Sequence, residues 1–289
     1  MSSKATTEIV DMEGLVNRML VVSADSPVYK KIAAYIEQSY MQIIFMTAGE
    51  LAAKLSISQG SVSKFCIALG YRGYADFLRS LQKFVGKEIT APERFHYTSA
   101  SIHHTDDVIE REIENLRTLK EITAEEEYER LVDAIAKADE LVLLSARMSA
   151  TLLPYMRYTL DKLRDNVRLV TPDGNDWDYF QVKYKKERTT VIALGLPRYP
   201  RVLVEKLKEL KEDGYSIGVV TDSRFSPLCE YADMKVFIPT TVASIFDIYS
   251  TPMAFINLLI TDVAKKLPEM EERLAQIEQY DNKQKTYYS

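Results

Sequence analysis

Short hydrogen-bonding side chains and one lysine are concentrated between Ser58 and Lys64. This stretch reads SQGSVSK, so hydroxyl and amide groups precede the cation. Such side chains can bond to base edges, and an ammonium group can bind a phosphate. Glycine and serine are also small enough for a helix backbone to lie close to a duplex. The residue types are those of a DNA-contacting segment.

Two short helices are predicted to position this segment. Thr47 and Glu50 have the spacing of a capping box at the start of a helix that ends at Leu55. Ser58 is predicted to cap the next helix, Gln59–Leu69. The three-residue turn between them favours a helix-turn-helix.

The second of these helices has one apolar face. Its members recur at spacings of three and four: Val62, Phe65, Cys66 and Leu69. The opposite face centres on Gly60, Lys64 and Ile67. An ordinary amphipathic helix with a solvated polar face has the same period, so the period alone does not decide between the two interpretations.

Composition bounds the class of protein. The chain has 289 residues, 46% of them hydrophobic and 27% charged, which predicts a globular protein of about two domains. The net charge is −5, yet residues 47–87 hold six Lys/Arg against two Asp/Glu. This local basic excess favours a polyanionic partner. A polar N-terminus, two unpaired cysteines and no membrane-length apolar run predict a cytoplasmic location.

From Asp139 onward, short apolar runs alternate with helical stretches. The runs are ELVLLS, NVRLVT, RTTVIALG, YSIGVVTD and MKVFIP, and four of them are rich in Val or Ile. Strands that alternate with helices predict a parallel sheet covered on both faces. Helices are predicted at residues 106–122, 125–138, 152–163, 200–212 and 245–266, with another in the charged tail after Pro268. The stripe Ile109, Ile113, Leu116 and Leu119 on the first of these is predicted to pack on this domain or on another subunit.

The stretch ELAAKLSISQGSVSKFCIALGYRGYADF resembles the helix-turn-helix of the RpiR-type bacterial transcription regulators. That family has a segment close to E-L-A-x-x-x-x-V-S-x-x-T-V-x-R-F-C-x-x-L-G-F-x-G-F-x-x-F. Ser61, Lys64, Tyr71 and Tyr74 stand where the family has Thr, Arg, Phe and Phe. Lysine keeps the phosphate charge but loses bidentate pairing to guanine. We expect the DNA contacts to come from Thr47, Ser58, Gln59, Gly60, Ser61, Ser63, Lys64, Tyr71 and Arg72.

The C-terminal part is similar to the sugar isomerase (SIS) domain that RpiR-type proteins carry. SPLCEYADMKVFIP is similar to the family segment S-P-L-A-x-x-A-D-x-x-L. The resemblance implies an all-α helix-turn-helix domain followed by an α/β SIS domain with a doubly wound, five-stranded parallel sheet. It also implies a phosphosugar site in the loops after the strands.

Two of these loops depart from the SIS pattern. SARMS (145–149) stands where the family is close to G-x-G-S-S, and GLPRYP (195–200) stands for S-x-S-G-x-T. Pro197 and Pro200 remove N–H donors as well as hydroxyls. Arginines remain, and their planar guanidinium groups bind phosphate or carboxylate. The candidate effector residues are Ser145, Arg147, Ser149, Gly195, Arg198, Arg201, Thr221 and Ser244. These arginines could instead be ordinary surface residues, or they could pair with acidic neighbours such as Asp222.

Catalytic and metal chemistry have little support in the sequence. The three histidines, His96, His103 and His104, lie together in a polar segment without partner ligands, so we predict no metal site. An isomerase needs a positioned base, and after His104 only residues such as Glu205 and Glu230 could serve. Cys66 is predicted to be an apolar filler. No catalytic residue and no cofactor are predicted.

The sequence therefore predicts a DNA-binding transcription regulator and not an enzyme. Its predicted domains are a helix-turn-helix domain (1–86), a linker and connecting helix (87–124), a SIS-like effector or dimerisation domain (125–267) and a C-terminal helix and tail (268–289). The expected partners are a near-palindromic double-stranded operator, a small anionic effector and further copies of the chain, as a homodimer or homotetramer. A SIS-like domain used only for oligomerisation and, less favoured, a phosphosugar isomerase remain open alternatives.

Overall fold

The computed structural model describes residues 12–44, 46–85, 92, 94–95, 104–224, 226–241 and 245–288. The chain divides into two compact units. Unit 1 comprises residues 1–110 and 241–247, and unit 2 comprises residues 111–240 and 248–289. The four predicted domain ranges remain predictions.

Unit 1 is helical in the part that the structure describes. Its helices are α1 (Met12–Ser23), α2 (Pro27–Ile43), α3 (Ala48–Leu55), α4 (Gln59–Ala68) and α5 (Tyr74–Val85). Apolar side chains from all five form one core that includes Leu15, Ile36, Leu51, Phe65 and Phe77. A buried ion pair of 2.6 Å joins Arg94 Nη1 to Asp247 Oδ1 within the same unit.

Local hydrogen bonds fix the turn between α3 and α4. Thr47 Oγ1 accepts from Glu50 N–H at 3.1 Å, and Glu50 Oε2 accepts from Thr47 N–H at 2.7 Å, which confirms the capping box. Ser56 ends α3 in the left-handed region with a φ of 51°. Ile57 N–H then donates to Ala52 O at 3.0 Å. The predicted helix-turn-helix pair is present.

Unit 2 contains a five-stranded parallel sheet. Its strands are β1 (Glu140–Ser145), β2 (Val167–Val170), β3 (Thr189–Gly195), β4 (Ser216–Thr221) and β5 (Met234–Phe237). Their spatial order is β2-β1-β3-β4-β5, and all neighbouring pairs are parallel. Leu144 pairs with Ala193, which pairs with Val219. The predicted doubly wound α/β class is confirmed.

Eight further helices lie between residue 104 and the C-terminal end of the described chain. They are α6 (His104–Ile122), α7 (Glu126–Lys137), α8 (Leu153–Leu163), α9 (Asn175–Asp178), α10 (Phe180–Lys183), α11 (Arg201–Glu212), α12 (Ser250–Lys266) and α13 (Met270–Gln284). Short 3₁₀ turns cover Arg147–Leu152 and Pro227–Tyr231.

The predicted helix 245–266 begins too early. Helix α12 starts at Ser250, and Pro252 is its third residue. Proline has no N–H to donate and fits the first turn of a helix, where that donor is not needed. The apolar period before Pro252 therefore misled the prediction. The two short helices α9 and α10 were not predicted at all, because four residues are too few for a helical period to be visible.

Apolar layers cover both faces of the sheet. One layer includes Leu131, Ile135, Met156, Phe255 and Leu259, which come from α7, α8 and α12. The other includes Trp177, Phe180, Leu203, Leu207 and Leu210, from α9, α10 and α11. The long apolar runs of the strands follow from this two-sided burial.

The predicted apolar stripe on α6 is buried at one end of the helix and largely exposed along the rest. Leu119 is only 3% exposed and belongs to the unit 2 core, together with Ile122. Ile109 and Leu116 remain 51% and 40% exposed. Steps of three residues rotate by about 300°, so the stripe drifts around the helix instead of staying on one face.

A buried carboxylate from α6 caps the start of α12. Glu112 is 7% exposed, and its Oε2 accepts from Ser250 O–H at 2.5 Å, Thr251 N–H at 3.1 Å and Thr251 O–H at 3.0 Å. A helix N-terminus has unsatisfied N–H groups and favours negative charge. Because α12 has no side-chain cap from its own N-cap residue, Tyr249, Glu112 supplies one from a distant part of the sequence.

Candidate DNA-contacting helix and effector site

Helix α4 is anchored by its apolar face. Val62, Phe65 and Cys66 are buried, and the Phe65 ring meets Tyr29 edge-on at 5.2 Å between centroids. Burial raises the pKa of the Cys66 thiol to about 12, so this cysteine stays protonated and acts as an apolar side chain. The buried face leaves the Gln59, Gly60 and Lys64 side of the helix exposed.

Ser58 begins α4 as predicted. Its Oγ accepts from Ser61 N–H at 3.1 Å and also lies 2.8 Å from Ser61 Oγ. The two hydroxyls therefore share a local hydrogen bond, although Ser58 is exposed and Ser61 half-buried. Ser63 is half-buried as well, but it lies about 200° around the helix from Ser61, at the other border of the exposed face. A base or phosphate would have to share these hydroxyls with the cap.

Three predicted DNA-contacting residues flank the helix. Thr47 Oγ1 is engaged in the capping box of α3. Tyr71 O–H donates to Ser80 Oγ at 3.3 Å, and burial raises the pKa of this phenol. Arg72 is exposed, and its backbone N–H donates to Asp76 Oδ2 at 3.0 Å. The structure thus gives Thr47 and Tyr71 internal bonds and leaves the Arg72 side chain at the surface.

Lys64 is exposed on the second turn of α4. Within the described residues no carboxylate lies within ion-pair distance of its ammonium group. By contrast, Arg79 on α5 is paired with Asp76 at 3.2 Å. An unpaired cation on the solvent side of this helix is available for a phosphate.

The second candidate site lies at the carboxyl ends of β1, β3 and β4. These strands are neighbours, and the chain order reverses between β1 and β3. Ligands of open parallel sheets bind at the carboxyl ends of strands beside such a switch point. The loops that carry Arg147 and Arg198 follow β1 and β3, and Thr221 is the last residue of β4.

The predicted serines of this site hold the loops together. Ser145 Oγ donates to Leu194 O at 2.6 Å, and Ser145 is fully buried. Ser149 Oγ accepts from Leu196 N–H at 3.1 Å and lies 3.4 Å from the Tyr249 hydroxyl. Ser145 therefore joins β1 to β3, and Ser149 joins the segment after β1 to the loop after β3.

Gly195 and Thr221 are also enclosed by protein. A Cβ at Gly195 would lie 2.1 Å from Leu228 Cδ1, so only glycine allows this close approach. Thr221 is 0% exposed. The structure brings both to the predicted edge of the sheet, but it gives them packing roles. Ser244 lies outside the described residues.

The arginines at this edge have a different environment. Arg147 and Arg198 are exposed, with left-handed φ values of 58° and 65°. Each occupies a position at which the SIS loop pattern has glycine, which is the residue that prefers this backbone region. Arg201 is exposed at the first residue of α11.

Arg224 is a residue that the sequence interpretation missed. It is exposed just after β4, and its guanidinium group lies 5.1 Å from the centre of the Phe237 ring. The signal was present in TDSRFS, which places an arginine three residues after the strand end.

Ion pairing separates two groups of arginines beyond residue 125. Arg130, Arg157, Arg168, Arg188 and Arg273 each pair with a carboxylate, and Arg164 binds the carbonyls of Ile135 and Ala138. Arg147, Arg198, Arg201 and Arg224 have no acidic partner among the residues that the structure describes. The unpaired group is the one at the carboxyl edge of the sheet.

The carboxylate of Asp222 lies at this edge, and it is hydrogen-bonded to a tyrosine. Tyr199 O–H donates to Asp222 Oδ1 at 2.8 Å. Burial and the neighbouring Asp222 charge raise the pKa of Tyr199, so the phenol stays neutral. Asp222 does not pair with any of the four arginines, so the alternative of pairing with Asp222 is not supported, whereas that of ordinary surface arginines stays open.

The described residues hold neither a metal-binding cluster nor a membrane-spanning helix. No group of three or more His, Cys, Asp or Glu side chains there could hold a metal ion. No helix in the described ranges is long and apolar enough to cross a bilayer. His96 and His103 lie outside these ranges.

The fold defines a helix-turn-helix protein with an α/β domain of SIS type, and the comparisons agree. The family model "Helix-turn-helix domain, rpiR family" matches residues 26–87, and "SIS domain" matches residues 134–262. The chain belongs to the RpiR-type family of transcriptional regulators.

Three proteins illustrate what this chain is similar to in sequence or in fold. An uncharacterized HTH-type transcriptional regulator of Clostridium perfringens is 22% identical over 82% of this chain and 87% of its own length. The sugar isomerase domain of an RpiR transcription factor from Sphaerobacter thermophilus is 25% identical, with a TM-score of 0.55 over 62% of this chain and 99% of that domain. The Vibrio vulnificus NanR protein, solved with ManNAc-6P, is 14% identical, with a TM-score of 0.53 over 92% of this chain and 97% of that chain.

Proposed function

We propose that this regulator reads DNA with helix α4 and that its SIS-type unit binds a small anionic metabolite that changes operator affinity. The exposed Gln59, Gly60 and Lys64 side of α4 would face the major groove, as the second helix of a helix-turn-helix does. The effector would lie at the carboxyl ends of β1, β3 and β4.

The observation that carries the effector proposal is the group of four arginines for which the described part of the chain supplies no acidic partner. Exposed arginines elsewhere in unit 2, such as Arg157 and Arg168, have carboxylates beside them. Four cations left unpaired around one switch point produce a local positive field, and such a field attracts an anion.

Backbone conformation supports the same interpretation. Holding a side-chain-bearing residue in the left-handed region costs about 1 kcal/mol per residue, and Arg147 and Arg198 both do so. Such strain persists most often where a side chain serves a function. A glycine at either position would remove both the cost and the guanidinium group.

The contacts also limit the ligand chemistry. The hydroxyls of Ser145 and Ser149 are already hydrogen-bonded within the protein. The ligand would therefore be recognised by guanidinium groups, which bind carboxylate or phosphate. A sugar phosphate is one member of this class, and the NanR protein was solved with one. Catalysis is not part of the proposal, because no imidazole is available as a base beyond His104.

Glycine substitution gives the sharpest test. Arg198→Gly should weaken anion binding at least tenfold in calorimetry with ManNAc-6P, citrate and inorganic phosphate as probes. The free energy of unfolding should stay unchanged or rise by about 1 kcal/mol, because glycine suits a φ of 65°.

Arg157→Ala is the matched control, since Arg157 is an exposed arginine whose carboxylate partner, Asp161, lies 3.2 Å away. It should leave the anion affinity unchanged. Equal affinity of Arg198→Gly and the native chain would remove these arginines from the site. Absence of binding to every probe would favour a SIS-type unit that serves oligomerisation alone.

A further inference from the structure

A groove lies between α8 and α13. Its volume is about 480 Å³, which is in the range of pockets that hold small ligands. Helix α8 lines it with Tyr158, Asp161 and Lys162, and α13 lines it with Arg273, Gln276, Ile277 and Tyr280. All seven residues belong to unit 2, so the groove is formed inside one compact unit.

The groove and the arginine group lie at opposite edges of the sheet. Helix α8 begins after the 3₁₀ turn Arg147–Leu152, which follows the carboxyl end of β1, and it ends at Leu163, shortly before β2 starts. Arg164, the next residue, binds the carbonyls of Ile135 and Ala138, which shortly precede β1. The lining residues of α8 are in its last two turns, so they lie towards the amino ends of the strands. A ligand in the groove would therefore be distinct from the proposed effector.

Two of the three charged groups in the groove are paired within the protein. Arg273 Nη2 donates to Asp165 Oδ1 at 2.8 Å, and Arg273 Nε donates to the Lys162 carbonyl at 2.8 Å. Asp161 Oδ2 lies 3.2 Å from Arg157 Nε. These bonds hold the two helices together and leave little free charge on Arg273 and Asp161.

The Lys162 ammonium group is the third charged group. It has no acidic partner among the residues that the structure describes, and it lies 5.2 Å from the centre of the Tyr158 ring. The acidic residues of α13 lie about 40° or more outside the arc of about 100° that the four lining residues of this helix span. They are Glu271, Glu272, Glu278 and Asp281. The groove therefore offers one available cation to an anionic group.

Two exposed tyrosine rings give the groove apolar surface. Tyr158 is 63% exposed and Tyr280 is 64% exposed. Ile277, on the same helix as Tyr280, is half-buried. The remaining polar side chain, Gln276, donates from Nε2 to Glu272 Oε1 at 3.3 Å. Aromatic rings attract other rings in stacked or edge-on pairs, so the two tyrosines favour a ligand with a flat ring.

We propose that this groove binds a small aromatic anion, which has a flat ring and one carboxylate, sulfonate or phosphate group. The ring packs against Tyr158 and Tyr280, and the anionic group binds the Lys162 ammonium group. A neutral ring would leave Lys162 without a counter-ion, and an aliphatic anion would leave the tyrosine rings in water. The proposal goes beyond the effector site, because it depends on other residues at the other edge of the sheet.

A pair of fluorescent probes tests the ring and the charge separately in the full-length chain. Anilinonaphthalene sulfonate has an aromatic ring system with one sulfonate, and phenylnaphthylamine has the same rings without it. In fluorescence titrations the native chain should bind the sulfonate probe more tightly. Lys162→Ala should weaken binding of the sulfonate probe about threefold and leave the neutral probe unchanged, because only the charge contact is lost. Tyr280→Ala should weaken binding of both probes about fivefold.

Exposed residues elsewhere in unit 2 provide matched controls. Lys185→Ala removes an exposed lysine, and Tyr179→Ala removes a tyrosine that is 58% exposed. Both variants should bind the two probes as the native chain does. An equal effect of Lys162→Ala on the two probes, or native affinity in Tyr280→Ala, would overturn the proposal. A native chain that binds neither probe would overturn it as well.

Displacement of the sulfonate probe tests the class of ligand. Benzoate and cyclohexanecarboxylate have the same charge and a six-membered ring, but only the benzoate ring is flat. Benzoate should displace the probe from the native chain at a concentration about threefold lower or less, because only a flat ring stacks on tyrosine. Equal displacement by the two acids would contradict an aromatic ligand.

Discussion

Lys64 and the four arginines have the same local property, because each is an exposed cation without a carboxylate partner among the described residues. In α4 this cation lies on the second turn, on the same exposed side as Gln59 and Gly60. At the sheet edge, Arg147 and Arg198 keep a guanidinium group at the expense of a left-handed backbone. At the scale of the residue, the two sites differ in what positions the cation: a capped helix positions Lys64, whereas left-handed loop residues position Arg147 and Arg198.

Replacement of Lys64 should reveal a phosphate contact. Lys64→Ala is expected to weaken operator binding and to reduce the slope of log affinity against log salt by about one unit, because one fewer counterion is released. Binding would be measured by fluorescence anisotropy over a range of salt concentrations. Lys185→Ala, an exposed lysine in unit 2, should leave the slope unchanged. An unaltered slope for Lys64→Ala would place Lys64 away from the DNA backbone.

At the scale of the element, helix ends are fixed by polar side chains in two ways. Helices α3 and α4 are capped by Thr47 and Ser58, which precede them directly. Helix α12 is capped by Glu112, which belongs to another helix far away in the sequence. A distant cap ties α6 and α12 together in addition to satisfying an N-terminus.

Removal of the Glu112 carboxylate should lower the stability of unit 2. Glu112→Ala would leave the Ser250 and Thr251 donors without their acceptor in a buried place, and we expect the free energy of unfolding of unit 2 to fall by about 3 kcal/mol. Trp177 is the single tryptophan and lies in the unit 2 core, so its fluorescence in urea reports this unit. Glu112→Gln keeps a hydrogen-bond acceptor, so the free energy of unfolding should fall by less than in Glu112→Ala.

Glu271→Ala serves as the control for Glu112→Ala. Glu271 is an exposed acidic residue in the first turn of α13, so its loss should change the free energy of unfolding by less than about 0.5 kcal/mol. Equal effects of the two substitutions would mean that the bonds of Glu112 contribute nothing beyond a surface charge.

At the scale of the whole molecule, one chain joins a helix-turn-helix to a SIS-type unit. Under the proposed function, linkage gives a reason for this combination: a ligand that prefers one arrangement of subunits changes DNA affinity by the ratio of its affinities for the two arrangements. The same proposal requires a symmetric assembly, because a helix-turn-helix dimer reads two half-sites.

Selection of bound DNA from genomic fragments tests this symmetry. The recovered sites should contain two inverted half-sites whose centres are about 34–36 Å apart, or a multiple of that distance. Scrambling one half-site should weaken binding strongly, whereas scrambling the flanking sequence should not. A single asymmetric motif with full affinity would argue against a dimer that reads DNA in this way.

Local patterns in the sequence determined the helix-turn-helix and the class of the second unit. The caps Thr47 with Glu50 and Ser58 with Ser61 join residues three apart, so a short stretch contains both partners. The strands are continuous apolar runs because both faces of the sheet are covered. The predicted start of α12 was wrong, because the apolar period continues before Pro252 although the helix does not. Helices α9 and α10 were missed, because four residues are too few to show a helical period.

Tertiary structure decided which polar groups are available to a ligand. Ser145 and Ser149 were candidates by position, but their bonds are to residues almost fifty positions away, at Leu194 and Leu196. The same holds for the arginines, since an ion pair such as Arg273 with Asp165 forms only when distant helices pack together. The sequence shows which residues carry hydrogen-bond donors and charges, whereas their hydrogen-bond and ion-pair partners depend on long-range packing. That packing leaves Arg147, Arg198, Arg201 and Arg224 without acidic partners in the described structure.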